Sequence, residues 1–306
     1  MAKRSKGTVG VVGLGNMGGA FARHLAAAGW RVLGFDIDAA RKRAAARAGV
    51  EISPVETLAT VAPVIILSLP NPRALDATVA AIARHELSSR IVVEASTFTL
   101  DDKQRAESVL RKAGHVMLDC PVSGTGAQAA AKDIVIYASG DAKAIAKVAP
   151  VLSDFSRATY NTGDFGNGSR MKYVANLLVT IHNVASAEAM VLGIKSGLDA
   201  QMVYDFIRSG VGTSRVFEVR GPMMVRDRYD DASMSIKLYH KDIAVIEDHA
   251  AKLGVPTPLF SASIPVYSAA LSMGYGEQDT ASVCGVLQTM AGLKRGKAGR
   301  GSKPRR

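Results

Sequence analysis

From residue 8 to about residue 160, short apolar runs alternate with stretches of helical period, and beyond Gly168 the runs stop. No other feature of the chain restricts its possible folds so strongly. The runs occupy 8–12, 31–35, 64–69, 90–93, 115–118, 134–138 and, more weakly, 157–160. Helical candidates fill the gaps at about 16–28, 38–48, 72–84, 99–113 and 141–152. A strand, a helix and another strand in succession require a crossover, which makes the strands parallel and covers both sheet faces. Residues 169–292 read mostly as helix, with turns near Gly197, Gly210, Gly212, Gly254, Gly274 and Gly276. The expected architecture is α/β, a doubly wound and mainly parallel sheet over 1–165. An all-helical domain follows over 166–293, entered by a long interdomain helix, and 294–306 forms a tail.

Size and composition allow this. The chain has 306 residues, 48% hydrophobic and 21% charged, a globular mixture long enough for about two domains. No unbroken run of 18 apolar residues occurs, so a membrane span is not expected. The apolar segment after Lys6 is interrupted by Gly7, Gly10 and Gly13 and reads as strand and turn rather than leader. Cys120 and Cys284 are too few for a disulfide framework or a cysteine-rich metal site, which suits a reducing compartment and a cytoplasmic location. The net charge of +11 is concentrated at the ends. Lys3, Arg4 and Lys6 carry three of these charges; Lys294, Arg295, Lys297, Arg300, Lys303, Arg305 and Arg306 carry seven. A basic tail can tether to nucleic acid. With a nearly neutral body, a disordered solubilising tail is the simpler expectation.

The first apolar run feeds Gly13-Leu14-Gly15-Asn16-Met17-Gly18, and helix-forming residues follow to Ala28. This G-x-G-x-x-G has a strand entering it and a helix leaving it. Gly13 permits the tight turn, Gly15 lets backbone approach a pyrophosphate at the helix N-terminus, and Gly18 allows close packing of helix on strand. The second run ends in Asp36, 23 residues after Gly13, where an acid accepts hydrogen bonds from ribose hydroxyls and repels a 2′-phosphate. NAD is the expected cofactor, with NADP possible because Arg41 and Lys42 follow one turn later.

A second constellation lies where the helical half begins, in Gly166-Asn167-Gly168-Ser169-Arg170-Met171-Lys172. At about 100° per residue, Asn176, Thr180, Asn183 and Ser186 fall on the face of Lys172, while Val174, Leu177, Leu178, Ile181, Val184 and Leu192 fall opposite. A solvated face would be rich in Glu, Lys and Arg. A stripe of small amides and hydroxyls around one ammonium suggests a polar cleft or a second protein layer.

These residues carry a family resemblance. The chain is similar over about residues 8–292 to the β-hydroxyacid dehydrogenases, the group of 3-hydroxyisobutyrate dehydrogenase, tartronate semialdehyde reductase and L-threonate dehydrogenase. Four motifs carry it in order: the glycine turn, Asp119-Cys120-Pro121-Val122-Ser123-Gly124-Thr125, Gly166-x-Gly168-x-x-x-Lys172-x-x-x-Asn176, and Lys241-Asp242. The resemblance implies a Rossmann-type first domain and hydride transfer between a nicotinamide and a small 3-hydroxy acid or its semialdehyde. Lys172 would be the acid/base, with a neighbouring cation and partial burial lowering its pKa. Asn176 would orient the substrate, and Ser123, Gly124 and Thr125 would bind its carboxylate. Leu69, Pro70, Thr97 and Lys241 would contact the cofactor, beside Gly13 to Gly18 and Asp36. Separately, the helical domain is too slender to bury apolar runs such as Leu177–Leu192 by itself, so a homodimer or tetramer with these helices packed across subunits is expected.

Departures bear on the substrate. Thr125 replaces a usual glycine, Ala175 replaces the first of two asparagines, and Arg215 is a candidate for binding a second polar end of the substrate. His24, His85, His115, His182, His240 and His249 show no H-x-x-x-H spacing, so no metal site is expected. Two alternatives share the architecture. An imine reductase usually carries Asp or Tyr at the position of Lys172, and a non-catalytic scaffold with basic tails would have lost that lysine.

Overall fold

A computed structural model describes residues 5–84 and 88–293. The tail at 294–306, Lys3, Arg4 and His85 lie outside the described residues. The chain forms two compact units, the first ending at Val174 and the second beginning at Ala175.

The first unit opens with β1 (Thr8–Val12), α1 (Asn16–Ala27), β2 (Arg31–Phe35), α2 (Ala39–Arg47), β3 (Glu51–Ile52) and α3 (Val55–Val61). It continues through β4 (Val64–Leu67), α4 (Pro72–Ala83), β5 (Ile91–Glu94), α5 (Leu100–Lys112) and β6 (Val116–Asp119). These six strands make one wholly parallel sheet in the order β3-β2-β1-β4-β5-β6. The order reverses direction beside β1, which places the turns after β1 and β4 at the switch point where such sheets take their ligands. Val64 to Leu67 and Ile91 to Glu94 are buried throughout, as strands covered on both faces must be.

The expectation of a single sheet is corrected. After β6 the chain passes Cys120 and Pro121 and starts a second sheet from β7 (Val122–Ser123), β8 (Val135–Ala138) and β9 (Ala158–Asn161). Between them lie α6 (Gly126–Ala130) and α7 (Ala142–Ser153). Here β7 runs antiparallel to β8, while β9 is parallel to it. Pro121 has no N–H to extend a ladder, and an isolated bridge between Asp119 and Ser139 joins the two sheets. Helices α1, α6 and α7 cover this region, with Phe21 stacked on Phe155 at 4.6 Å.

The helix α8 (Asn167–Lys195) is 29 residues long and starts in the first unit. Its first turn presses on strand ends: a Cβ at Gly168 would stand 2.3 Å from the Tyr137 carbonyl oxygen and 2.7 Å from that of Asp119. By length and composition alone α8 could cross a membrane, which a search for unbroken apolar runs overlooks because Asn, Thr, His and Ser punctuate it.

The second unit holds the rest of α8 with α9 (Ala200–Ser209), α10 (Arg215–Arg226), α11 (Ile236–Leu253), α12 (Pro258–Ser272), a 3-10 turn at Thr280–Ser282, and α13 (Val283–Met290). The polar stripe of α8 faces inward here. Thr180 shares a hydrogen bond with the Tyr239 hydroxyl at 2.9 Å, and the Asn183 amide donates to the Tyr267 hydroxyl at 2.9 Å and the Thr280 carbonyl at 2.8 Å. The second protein layer anticipated for this stripe is α11 and α12.

Candidate active site

In the first unit the glycine turn is built by steric necessity. Gly13 has φ +90°, and a Cβ there would lie 2.1 Å from the Ser68 carbonyl oxygen. A Cβ on Gly18 would lie 1.9 Å from the Gly13 carbonyl oxygen, so only glycine lets α1 sit this close to the turn. Gly15 differs: a side chain there would meet only the tip of Arg41, at 3.7 Å. Gly15 is also the N-cap of α1 and offers no side-chain acceptor to the first N–H groups of the helix. Backbone donors, a positive helix end and open space at Gly15 together fit a dinucleotide pyrophosphate. Asn16 is exposed and Met17 half-buried at the mouth of this turn.

Asp36 ties β2 to the turn. Its Oδ2 accepts from the Leu14 N–H at 2.7 Å and its Oδ1 from the Asp38 N–H at 2.8 Å, with Arg41 Nη1 3.7 Å from Oδ2. A carboxylate has about four acceptor positions, so two remain for ribose hydroxyls. Across the switch point the Leu69 N–H donates to Ser96 Oγ at 2.8 Å, and the Ser96 N–H donates to Glu94 Oε1 at 2.9 Å. The loops bearing Leu69, Pro70 and Thr97 are thus fastened together.

Ser123 ends β7, and Gly124 follows in the loop. Thr125 starts α6 through a capping box. Its hydroxyl accepts from the Gln128 N–H at 3.4 Å, while Gln128 Oε1 accepts from the Thr125 N–H at 3.0 Å.

Lys172 is buried, at 8% exposure. Around its helix start lies a charge cluster of which only Asp119 belongs to one of the four motifs. Lys103 is fully buried, 2.7 Å from Glu94 Oε2 and 2.7 Å from Asp119 Oδ1. Burial opposes its charge, but the two carboxylates outweigh that and raise its pKa. Asp119 in turn accepts from the Ser169 N–H at 2.7 Å through Oδ2 and from the Ser169 hydroxyl at 2.8 Å through Oδ1. Tyr173 donates its hydroxyl to the Phe98 carbonyl at 2.5 Å, and burial pushes its pKa up to about 12.

In the second unit, Asn176 and Asp242 are both buried, and the Asn176 amide donates to Asp242 Oδ2 at 3.0 Å. The other Asp242 oxygen holds Lys241 Nζ at 2.7 Å. The Tyr239 hydroxyl donates to the Asn176 carbonyl at 3.0 Å. Arg215 is exposed and pairs with Glu218 at 2.9 Å.

A wholly parallel sheet with a glycine turn at its switch point, followed by a helical unit, defines a dinucleotide-dependent enzyme class, and the comparisons narrow it. Residues 8–163 match the NAD binding domain of 6-phosphogluconate dehydrogenase, and 166–287 match the NAD-binding domain of NADP-dependent 3-hydroxyisobutyrate dehydrogenase. An L-threonate dehydrogenase of Pectobacterium atrosepticum is 31% identical, covering 92% of this chain and 95% of its own length. The crystal structure of a 3-hydroxyisobutyrate dehydrogenase from Salmonella typhimurium superposes with a TM-score of 0.84 at 28% identity, covering 92% of this chain and all of that one. A 3-hydroxyisobutyrate dehydrogenase of Mycobacterium tuberculosis, solved with L-serine, gives 0.83 at 26% identity, covering 92% and 99%. This chain belongs to the β-hydroxyacid dehydrogenase family and is an NAD(P)-dependent oxidoreductase. Imine reductases share the fold at 18% identity, as with that of Myxococcus stipitatus at a TM-score of 0.61.

Glu94, Lys103 and Ser96 escape a reading of the sequence, and Ser169 and Asp242 stand in the motifs without a role of their own. One signal is present. On α5 the buried positions are Lys103, Ala106 and Leu110, so a lysine occupies the apolar stripe of an amphipathic helix.

Proposed function

We propose that the chain interconverts a small hydroxy acid and its carbonyl acid, a four-carbon polyhydroxy acid of the L-threonate kind being the first candidate, with Lys172 as general acid/base. The supporting observation is an ammonium-bearing side chain at 8% exposure on the helix that also carries Asn176 one turn later. Lys172 gives a proton to the carbonyl oxygen or takes it from the hydroxyl. Asn176, its amide fixed by Asp242, orients that oxygen. Ser123 and the Gly124 N–H hold the substrate carboxylate beside Thr125. When bound along Gly13 to Gly18, Asp36, Leu69, Pro70, Thr97 and Lys241, the dinucleotide supplies the hydride chemistry. Asp36 favours NAD over NADP by repelling a 2′-phosphate, while Arg41 leaves some tolerance. Two buried free thiols suit a reducing, cytoplasmic setting, and the activity calls on neither membrane nor nucleic acid.

The test is the absorbance of NADH and NADPH with L-threonate, 3-hydroxyisobutyrate, glycerate and 4-hydroxybutyrate, for wild type and Lys172→Ala. Removing the acid/base lowers kcat about 10²–10⁴-fold and leaves dinucleotide affinity in place. A Lys172→Ala enzyme within tenfold of wild type on its best acid refutes the assignment.

A further inference from the structure

We propose that Asp119, held in place by Lys103 and Glu94, is a positioning residue for Lys172, capping the first turn of α8 from fifty residues away; this rests on the acid/base reading of Lys172. An α-helix leaves its first four N–H groups without intrahelical partners, and a helix that begins against protein must find acceptors for them. One is met locally, Asn167 N–H by the Asp164 carbonyl at 3.0 Å, and the ordinary helix ladder begins with Arg170 N–H on the Gly166 carbonyl at 3.0 Å. Two more are met from the strand ends. Gly168 N–H donates to Ser139 Oγ at 3.0 Å, and Ser169 N–H donates to Asp119 Oδ2 at 2.7 Å. The Ser139 hydroxyl itself donates to Asp119, at 3.0 Å to the carbonyl and 3.2 Å to Oδ2.

Asp119 is therefore the centre of the arrangement. Its Oδ1 takes the Ser169 hydroxyl at 2.8 Å and the Lys103 ammonium at 2.7 Å. Every one of these groups is buried: Lys103, Glu94, Asp119 and Ser139 are at 0% exposure and Ser169 at 1%. One cation among two carboxylates leaves an excess negative charge at the base of α8, where the positive end of a helix stabilises it. Charge-assisted bonds of this length are stiff as well as strong.

The consequence is geometric. Ser169 is one turn before Lys172, and Tyr173, bonded to the Phe98 carbonyl, comes directly after it. The two attachments bracket Lys172 and fix both the axial position and the rotation of the helix. A deeper seating of the helix is excluded at Gly168, where even a Cβ would stand 2.3 Å from the Tyr137 carbonyl oxygen and 2.7 Å from that of Asp119. Nothing in the cluster need touch substrate for this to matter, since a displacement of about 1 Å at a reacting group costs roughly 10²-fold in rate.

The experiment uses the full chain with Asp119→Asn, Ser169→Ala, Lys172→Ala and Val148→Ala. Val148 is a core residue of α7 whose truncation destabilises without touching the clamp. Amide hydrogen exchange of residues 168–174 is measured beside steady-state kinetics with L-threonate and NAD. Asp119→Asn is expected to speed exchange there at least tenfold and lower kcat about 10–100-fold, with the KM for NAD within twofold. Ser169→Ala, a small change that spares the fold, lowers kcat several-fold in the same pattern, and Val148→Ala leaves kcat alone. If Asp119→Asn does not fold, Ser169→Ala decides. Unaltered exchange at 168–174, or kcat within twofold of wild type beside an inactive Lys172→Ala, overturns the positioning role alone. Turnover that survives Lys172→Ala overturns the acid/base reading and the positioning role with it.

Discussion

Lys103 shows how a residue can be chemically conspicuous and yet inert in solution. An ammonium with no access to water costs several kcal/mol unless its partners are close, and here both carboxylates stand at 2.7 Å. It stays charged through the whole working range, so it adds nothing to pH dependence near neutrality. His115 behaves in the opposite way. Burial lowers its pKa, and its Nδ1 accepts from the Arg90 N–H at 3.2 Å, which requires a neutral ring. With a folded pKa below the unfolded value of about 6.5, the unfolded chain takes up the proton first as pH falls. The stabilisation is therefore complete above about pH 7 and is lost on acidification through the folded value. Urea titrations between about pH 7.5 and 5 should show the midpoint falling, and His115→Gln should be less stable at the upper end with a flatter acid slope. Equal slopes for the two proteins would rule the ring out as the titrating group.

At the scale of elements, Gly168 makes the clearest demand. A methyl there would stand 2.3 Å from one carbonyl oxygen and 2.7 Å from another, both backbone atoms that cannot swing aside. Gly168→Ala should cost about 1–3 kcal/mol, as overpacking generally does, visible as a lower urea midpoint and weaker protection in the first turn of α8. Wild-type stability in that variant would mean the strand ends yield freely. The same element marks how far the sequence can be read. Strands β1 and β2 are legible to the residue, because a run buried on both faces is continuously apolar. By contrast β3, with two exposed residues, and α3, entered from Pro54 over seven residues, leave too short a pattern. The five-residue α6 and two-residue β7 are lost for the same reason. In α8 the periodicity separates a polar from a mainly apolar face but does not say which is inside, and of the apolar set Val184 is buried while Val174, Leu178 and Leu192 are exposed. Asn176, Thr180 and Asn183 turn inward because each finds a partner on α11, α12 or the 3-10 turn. For the candidate site, the glycine turn, Asp36 and Lys172 can be read from motif and spacing. The Lys103 cluster cannot, since its members are spread over 75 positions, from Glu94 to Ser169, and meet only through the sheet.

For the molecule as a whole, that inversion leaves apolar surface outside. On the outer side of α8, Leu178 is 47% and Leu192 70% exposed, with Ala185 between them at seven-residue spacing. Such a stripe calls for cover by bilayer or by protein. A bilayer is the poorer answer: it would surround a helix whose opposite side is already packed, through hydrogen-bonded amides and hydroxyls, onto the helices of its own unit. A second copy of the chain offers a matching apolar stripe, and burying one leucine is worth about 1.5–3 kcal/mol. We therefore expect a homodimer or a tetramer built from it, with α8 at the interface. Light scattering behind size exclusion should give at least twice the 32.1 kDa of one chain at micromolar concentration. Leu178→Glu with Leu192→Glu should return the monomer mass while dinucleotide binding at the glycine turn persists. A wild-type monomer would contradict the interface, and so would a charged double variant that still assembles, because a buried pair of glutamates facing their own symmetry mates could not be tolerated there.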